Sequence, residues 1–449
     1  MDRFFHSVTL DKDKCVGCTN CIKRCPTQAI RVRGGKATII SERCIDCGEC
    51  VRVCPHHAKK ARHDPRSLLD NFTYKVALPA PTLYGQFNHL DDIDIVLSGL
   101  KAIGFDDVFE VSRGAEIVSD LTRQLLSDGK LKKPAISSAC PAVVRLIRVR
   151  FPDLCDHVLP VKSPMEVAAM LAREEAVRKT GLPPEKIGIF FLSPCAAKVT
   201  DVRVPIGMEK SNVDGVLAIS DIYPQLLSAM NHLGHVEPLA KSGIIGVSWS
   251  SIGGEAAGLL NENHLAADGI ENVIKVLEEL EDEKLQELDF IELNACAGGC
   301  VGGIFAAENG YVAKARIQRL RKYLPVSCNR LEDAGAAARL EWTSPLEFAP
   351  VMKLAENVED AMRMMEEIDA ICERLPQLDC GSCGAPTCRA LAEDAVQGLA
   401  RETDCIFLMR RQIQDIATQL TRLEGYVPPA EGSQDEKESG DTHDDAGDT

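Results

Sequence analysis

The chain has 449 residues, of which 45% are hydrophobic and 26% charged, with a formal net charge of −16. That is the balance of an ordinary soluble globular protein, and no uninterrupted apolar run is long enough to span a bilayer. Residues 1–10 carry neither a secretory signal nor a twin-arginine pair, so the sequence predicts a cytoplasmic protein with no membrane partner.

Nineteen cysteines in a reducing compartment point to metal ligands or catalytic thiols rather than disulfides. Eight of them fall in residues 1–66 as an internal repeat. Cys15-x2-Cys18-x2-Cys21-x3-Cys25-Pro26 is followed by Cys44-x2-Cys47-x2-Cys50-x3-Cys54-Pro55. Between the two runs, apolar segments at 29–32 and 37–40 flank Gly34-Gly35, which predicts a hairpin. Lys and Arg outnumber Asp and Glu here roughly two to one. We expect this charge to offset anionic clusters and to steer an acidic redox or signalling partner protein, rather than nucleic acid. His56, His57 and His63 read as surface charge. The doubled run resembles that of bacterial ferredoxins, in which the fourth Cys crosses to the other cluster. The resemblance implies that Cys15, Cys18, Cys21 and Cys54 hold one 4Fe–4S cluster, and Cys44, Cys47, Cys50 and Cys25 a second. Structural zinc is the alternative.

Over residues 74–345, apolar strands alternate with amphipathic helices. Strands are predicted at 75–78, 134–137, 187–192, 215–219, 243–247 and 289–293; helices at 93–102, 114–128, 164–179, 222–232 and 270–280. Alternation of this kind predicts parallel α/β architecture. Cys140, Cys195 and Cys296 each come just after a predicted strand, where ligands gather in open α/β sheets. The spacing of Cys296 and Cys300 places them on one face of a helical turn. Gly298, Gly299, Gly302 and Gly303 let backbone approach a bulky cofactor. No Gly-Lys-Ser/Thr follows, which argues against a nucleotide loop.

Residues 350–425 are predicted mainly helical, with helices at 357–374 and 405–423. The motif Asp379-Cys380-Gly381-Ser382-Cys383-Gly384-Ala385-Pro386-Thr387-Cys388 lies between them, and Cys405 follows. This group resembles the small 4Fe–4S domain of corrinoid iron–sulfur proteins, which implies a third cluster on Cys380, Cys383, Cys388 and Cys405; zinc is again the alternative. Plain packing is expected for the last helix, ahead of a partner-binding role. Residues 429–449 are acidic, lack apolar periodicity and read as a disordered tail. Cys155, Cys328 and Cys372 stand alone and read as buried free thiols.

The segments Ser137-Ser138-Ala139-Cys140-Pro141, Ser193-Pro194-Cys195-Ala196-Ala197-Lys198 and Glu292-Leu293-Asn294-Ala295-Cys296-Ala297-Gly298-Gly299-Cys300 resemble, in this order, the three active-site motifs of the iron-only (FeFe) hydrogenases. The resemblance implies a multidomain fold: a ferredoxin-like α+β module, a central α/β domain with two parallel-sheet lobes around the active site, and a small helical 4Fe–4S domain. It implies that Cys140, Cys195, Cys296 and Cys300 hold the 4Fe–4S half of an H-cluster. Cys300 would bridge to a two-iron unit bearing carbonyl, cyanide and azadithiolate, and Lys198 would point towards a cyanide. It also implies H2 and protons as substrates and maturation proteins as partners.

Three positions depart from the ordinary hydrogen-producing members. Ala139 stands where a proton-passing Cys is expected, and Ser193 and Asn294 replace two methionines beside the two-iron unit. These changes resemble those of the sensory branch of the family without a PAS domain, and imply slow, reversible hydrogen chemistry with a sensing role. A non-catalytic iron–sulfur scaffold and a plain electron-transfer subunit are the alternatives.

Overall fold

The structure is a computed structural model that describes residues 5–331, 334–351 and 353–424; the predicted tail at 429–449 lies outside them. The first module contains β1 (Val8–Leu10), the hairpin β2 (Ile30–Arg33) and β3 (Lys36–Ile39), and β4 (Lys59–Ala61). β1 pairs antiparallel with β4, and β2 with β3 around the predicted Gly34-Gly35 turn.

Seven strands follow: β5 (Tyr74–Pro79), β6 (Asp107–Val108), β7 (Ala135–Ile136), β8 (Ile187–Ser193), β9 (Gly215–Ala218), β10 (His264–Asp268) and β11 (Phe290–Asn294). They form two all-parallel sheets, ordered β6-β5-β8-β9 and β10-β11-β7. β8 reads as an unbroken apolar run because both of its faces are covered. On one side the alanine-rich face of helix Pro164–Thr180 packs through Ala168, Ala169, Ala172 and Ala176. On the other lie Leu97, Leu100, Ile222 and Leu226. The second sheet is covered by helices Pro141–Arg150 and Ile270–Glu281, through Val143, Ile147, Val273 and Leu277. The multidomain α/β expectation is met.

Residues 243–247 correct the sequence reading: they are not a strand but the start of a buried helix, Ile244–Ser248. A short apolar run suits either element, and here close packing decides. A Cβ on Gly246 would lie 2.1 Å from the carbonyl oxygen of Ser112, so this helix needs glycine to approach helix Val111–Ser127. β6 and β10 were not anticipated; β6 has two residues, and β10 is an edge strand with no fully buried residue.

The modules are locked together by buried polar contacts. Asp46, 3% exposed, accepts from the Ser7 and Val8 amides and from the Thr200 hydroxyl, joining the first module to helix Ala196–Arg203. The third module, with helices Val358–Arg374, Cys388–Val396 and Ile406–Glu424, docks on the β2–β3 hairpin. There Arg31 and Arg33 share the Asp394 carboxylate at 2.6 and 2.7 Å. Gly384 sits so close that a Cβ would lie 1.9 Å from the Val32 carbonyl oxygen. Part of the basic charge expected to face a partner is therefore spent inside the molecule.

Candidate metal centre and its redox approach

Cys140 and Cys195 leave the ends of β7 and β8 and stand at the N-caps of helices Pro141–Arg150 and Ala196–Arg203. Cys296 follows β11, and Cys300 opens a short 3-10 turn. All four thiols line one cavity of about 100 Å³ between the two sheets. Cys296 and Cys300 do not share a helical turn, as their spacing suggested. The loop between them passes through Gly298 and Gly299 at φ +83° and +93°, a region closed to most side chains. A Cβ on Gly299 would meet the Ile252 amide nitrogen at 2.5 Å, so the glycine is needed for both its dihedral and its lack of bulk.

Burial pushes Cys195 up to about 12 and raises Cys140 and Cys300 as well, with neighbouring thiols adding to each shift. A set of dry, mutually repelling thiols ionises only with a compensating cation. The donor set thus fits a thiolate-bound metal cluster.

The remaining wall is mostly apolar, with a few polar groups turned inward. Lys198 lines the cavity, while its Nζ donates to Ser163 Oγ at 3.1 Å and to Asp201 Oδ2 at 3.2 Å. The Thr82 hydroxyl, on a turn after β5, is fully buried in this wall with no hydrogen-bond partner among the described residues. An orphaned donor facing a dry cavity fits a bound group with acceptors, such as cyanide. Ala139 and Asn294 lie in the wall; Asn294 Nδ2 donates to Glu292 Oε1 at 3.1 Å. Ser193 is fully buried outside it, its hydroxyl bonded to the amide and carbonyl of Cys195. It shapes the Cys195 loop rather than the cavity surface.

Sequence reasoning missed Thr82, Glu255 and Glu292. Both carboxyls line the cavity and are 4% and 2% exposed. Glu292 Oε1 and Oε2 accept from the Gly253 and Ala256 amides at 3.0 and 2.9 Å, and burial still pushes its carboxyl up to about 7. Glu255 is raised well above the ordinary carboxylate range, by burial and then by the Glu292 charge. Ser137 donates to Glu255 at 2.7 Å and accepts from the Ala139 amide at 3.2 Å. The only signal for Glu292 was an acidic residue inside an otherwise apolar strand.

In the first module, Cys15, Cys18, Cys21 and Cys54 line one cavity, and Cys25, Cys44, Cys47 and Cys50 another. The two groups are the crossed ones that the ferredoxin resemblance implied. Lys59, 3% exposed, stands in the wall of the first cavity with its Nζ unpartnered among the described residues. A dry ammonium without a partner fits an anionic cluster there. The second cavity faces the central domain: Ile45 and Cys47 pack in the same core as Cys140 and Cys195. Arg52 donates to the Cys47 carbonyl at 3.1 Å and to Cys296 Sγ at 3.0 Å.

In the third module, Cys383, Cys388 and Cys405 share a small core, and Cys380 lies beside Cys383. Cys372 packs on that core too, and Cys155 is buried in the second-sheet core. Cys328 is exposed, against expectation. His56 and His57 are exposed, whereas His63 is half-buried and packs edge-on against Phe305 at 5.6 Å.

The family model for the iron-only hydrogenase large subunit, C-terminal domain, matches residues 73–246 and 252–304, just over half of the chain. The chain belongs to the iron-only hydrogenase family. A 4Fe-4S dicluster model matches residues 7–55, and an Fe-S cluster model residues 375–407. Iron–sulfur cofactors follow from these matches. The chain is 22% identical over 377 residues to iron hydrogenase 1 of Clostridium pasteurianum, covering 68% of this chain and 65% of that protein. It is 23% identical over 302 residues to the nuclear prelamin A recognition factor of Homo sapiens, covering 54% and 66%. A solved FeFe-hydrogenase HydA1 variant from Chlamydomonas reinhardtii aligns at TM-score 0.49 and 16% identity, over 62% of this chain and 95% of that one. The chain spans no more than 66% of the length of the first four curated relatives it matches. Among the described residues, no helix is long and apolar enough to cross a membrane.

Proposed function

We propose that this family member is a hydrogenase of low turnover, converting H2 reversibly to protons and electrons and serving as a H2 or redox sensor. The observation that carries this reading is the convergence of Cys140, Cys195, Cys296 and Cys300 with Lys198 and the unpartnered Thr82 hydroxyl on one dry cavity. The four thiols would hold the 4Fe–4S half of an H-cluster. When bound, that cofactor supplies the centre at which H2 is split heterolytically.

The chain's own part is positional and electrostatic. Lys198 and Thr82 offer donors to the two-iron unit, and the apolar wall excludes water. Ala139 presents a methyl group where a proton carrier is expected, which supports slow turnover. Proton handling then falls to Glu255 and Glu292, buried carboxyls in the same wall. Electrons would pass between the cavity and the cluster on Cys25, Cys44, Cys47 and Cys50 beside Arg52, then to the other cluster of the first module and to that of the third. A redox or signalling protein would read their state. Maturation proteins would deliver the two-iron unit.

A second reading, a non-catalytic iron–sulfur protein, is favoured by the likeness to the prelamin A recognition factor and to a cytosolic Fe-S cluster assembly factor, NAR1, of Botryotinia fuckeliana, 26% identical over 112 residues. Hydrogen–deuterium exchange by the anaerobically loaded protein separates the two. Formation of HD from D2 in buffered water supports the hydrogenase; full iron loading with no HD supports the alternative.

A further inference from the structure

The helix Ile406–Glu424 was expected to pack on its own module, and it does so only at its start. Every residue from Met409 to Leu423 is exposed. The helix therefore runs free of the rest of the described chain for most of its length, about 28 Å at 1.5 Å per residue. Most of a helix's stability in a protein comes from packing of its apolar face, so one that packs on nothing in the described chain for most of its length calls for a partner.

Its apolar residues specify what kind. Ile406, Met409, Ile413, Ile416, Leu420 and Leu423 are spaced 3, 4, 3, 4 and 3 apart and are 43–67% exposed. That is a strict a/d seam with a period of 3.5. A helix that lies on a globular surface needs a wider stripe, with e or g positions apolar as well. The flanking positions here are Arg410, Gln412, Ala417, Gln419 and Glu424. They carry one charge of each sign, two turns or more apart, so no row of like charge repels an identical helix. The segment that follows, residues 425–449, cannot fill the seam. It offers only Tyr426 and Val427 as large apolar residues before Pro428-Pro429 and an acidic run.

We propose that this helix pairs with the same helix of a second copy of this chain, in a short left-handed coiled coil that makes the protein a dimer. Each copy contributes six aliphatic side chains, which bury one another layer by layer.

Sedimentation equilibrium of the full, iron-loaded chain under anaerobic conditions tests this. The expected result is twice the chain mass in the micromolar range. The double variant Ile413→Glu/Ile416→Glu should sediment as a monomer with its iron content and visible spectrum unchanged. Arg411→Glu, on the opposite face of the helix, should remain a dimer. A monomeric wild type overturns the proposal, including one that instead captures another protein's helix. So does a double variant that stays dimeric, or an Arg411→Glu variant that dissociates like the double variant.

Discussion

The guanidinium of Arg52 reaches from the second cysteine run of the first module to the sulfur of Cys296, 3.0 Å away, while also holding the Cys47 and Gly302 carbonyls. One side chain thus ties a ferredoxin-type cysteine to a thiol of the central cavity. A hydrogen bond from a cation to cluster sulfur favours the reduced state. Arg52→Ala should therefore lower the reduction potential of the central centre, by on the order of tens of millivolts. Arg52→Lys should recover part of the shift. A spectroelectrochemical titration reads both.

The buried carboxyls give a pH dependence with a definite sign. Glu292 is held up near 7, so its proton is present below that value and lost above it. Proton reduction should fall as pH rises through about 7, and Glu292→Gln should remove that limb of the profile. Glu292→Gln and Glu255→Gln should each lower turnover by ~10²–10⁴-fold, the range for loss of a positioned acid or base. The same shift weakens the fold: between the ordinary carboxylate value of 4.5 and about 7, the unfolded chain binds fewer protons than the folded one. Stability of the cluster-free chain should thus decline with rising pH across that window. Thermal melts at several pH values, repeated with Glu292→Gln, check it.

The docking of the third module rests on Asp394 between Arg31 and Arg33. Asp394→Ala leaves Arg31 buried without its counter-charge, which costs about 3–5 kcal/mol. Gly384→Ala should have a similar effect by a different route, because the added methyl group collides with the Val32 carbonyl at a backbone dihedral that already disfavours it. Both variants should expose the β2–β3 hairpin to hydrogen exchange while the central sheets stay protected. Equal protection of the hairpin in variant and wild type would refute the docking role.

The Thr82 hydroxyl and the Lys198 ammonium are the donors proposed for the two-iron unit. Thr82→Val and Lys198→Met should each weaken uptake of a synthetic two-iron unit by about 10–100-fold, the usual scale for losing a supporting contact. Any remaining infrared bands should shift in position. Uptake and band positions identical to wild type in both variants would remove these residues from the site.

Much of this was legible from the chain because cysteine carries chemistry at fixed spacings. The doubled run, through its resemblance to bacterial ferredoxins, implied two crossed ligand sets, and three thiols placed just after strands pointed to a common crevice. What stayed hidden depended on contacts between distant segments. Thr82 looked like any loop residue, and only burial without a partner marks it. Glu255 and Glu292 are far apart in sequence and meet only because the second sheet brings them to one wall. The run at 243–247 is apolar enough for a strand, and close contact with the Ser112 backbone makes it a helix. The spacing of Cys296 and Cys300 suggested a helical turn, which the positive dihedrals of Gly298 and Gly299 rule out. In the last helix the heptad spacing was present, but its exposure could be seen only once the fold showed that no described residue covers it.

The cavity between the two sheets is proposed to accept an H-cluster. Infrared spectroscopy of the anaerobically matured protein, under argon and then under hydrogen, tests it most directly. Carbonyl and cyanide bands that move on exchange of the gas are the expected result. No such bands after incubation with the synthetic two-iron unit, in protein whose 4Fe–4S clusters are intact, would contradict it.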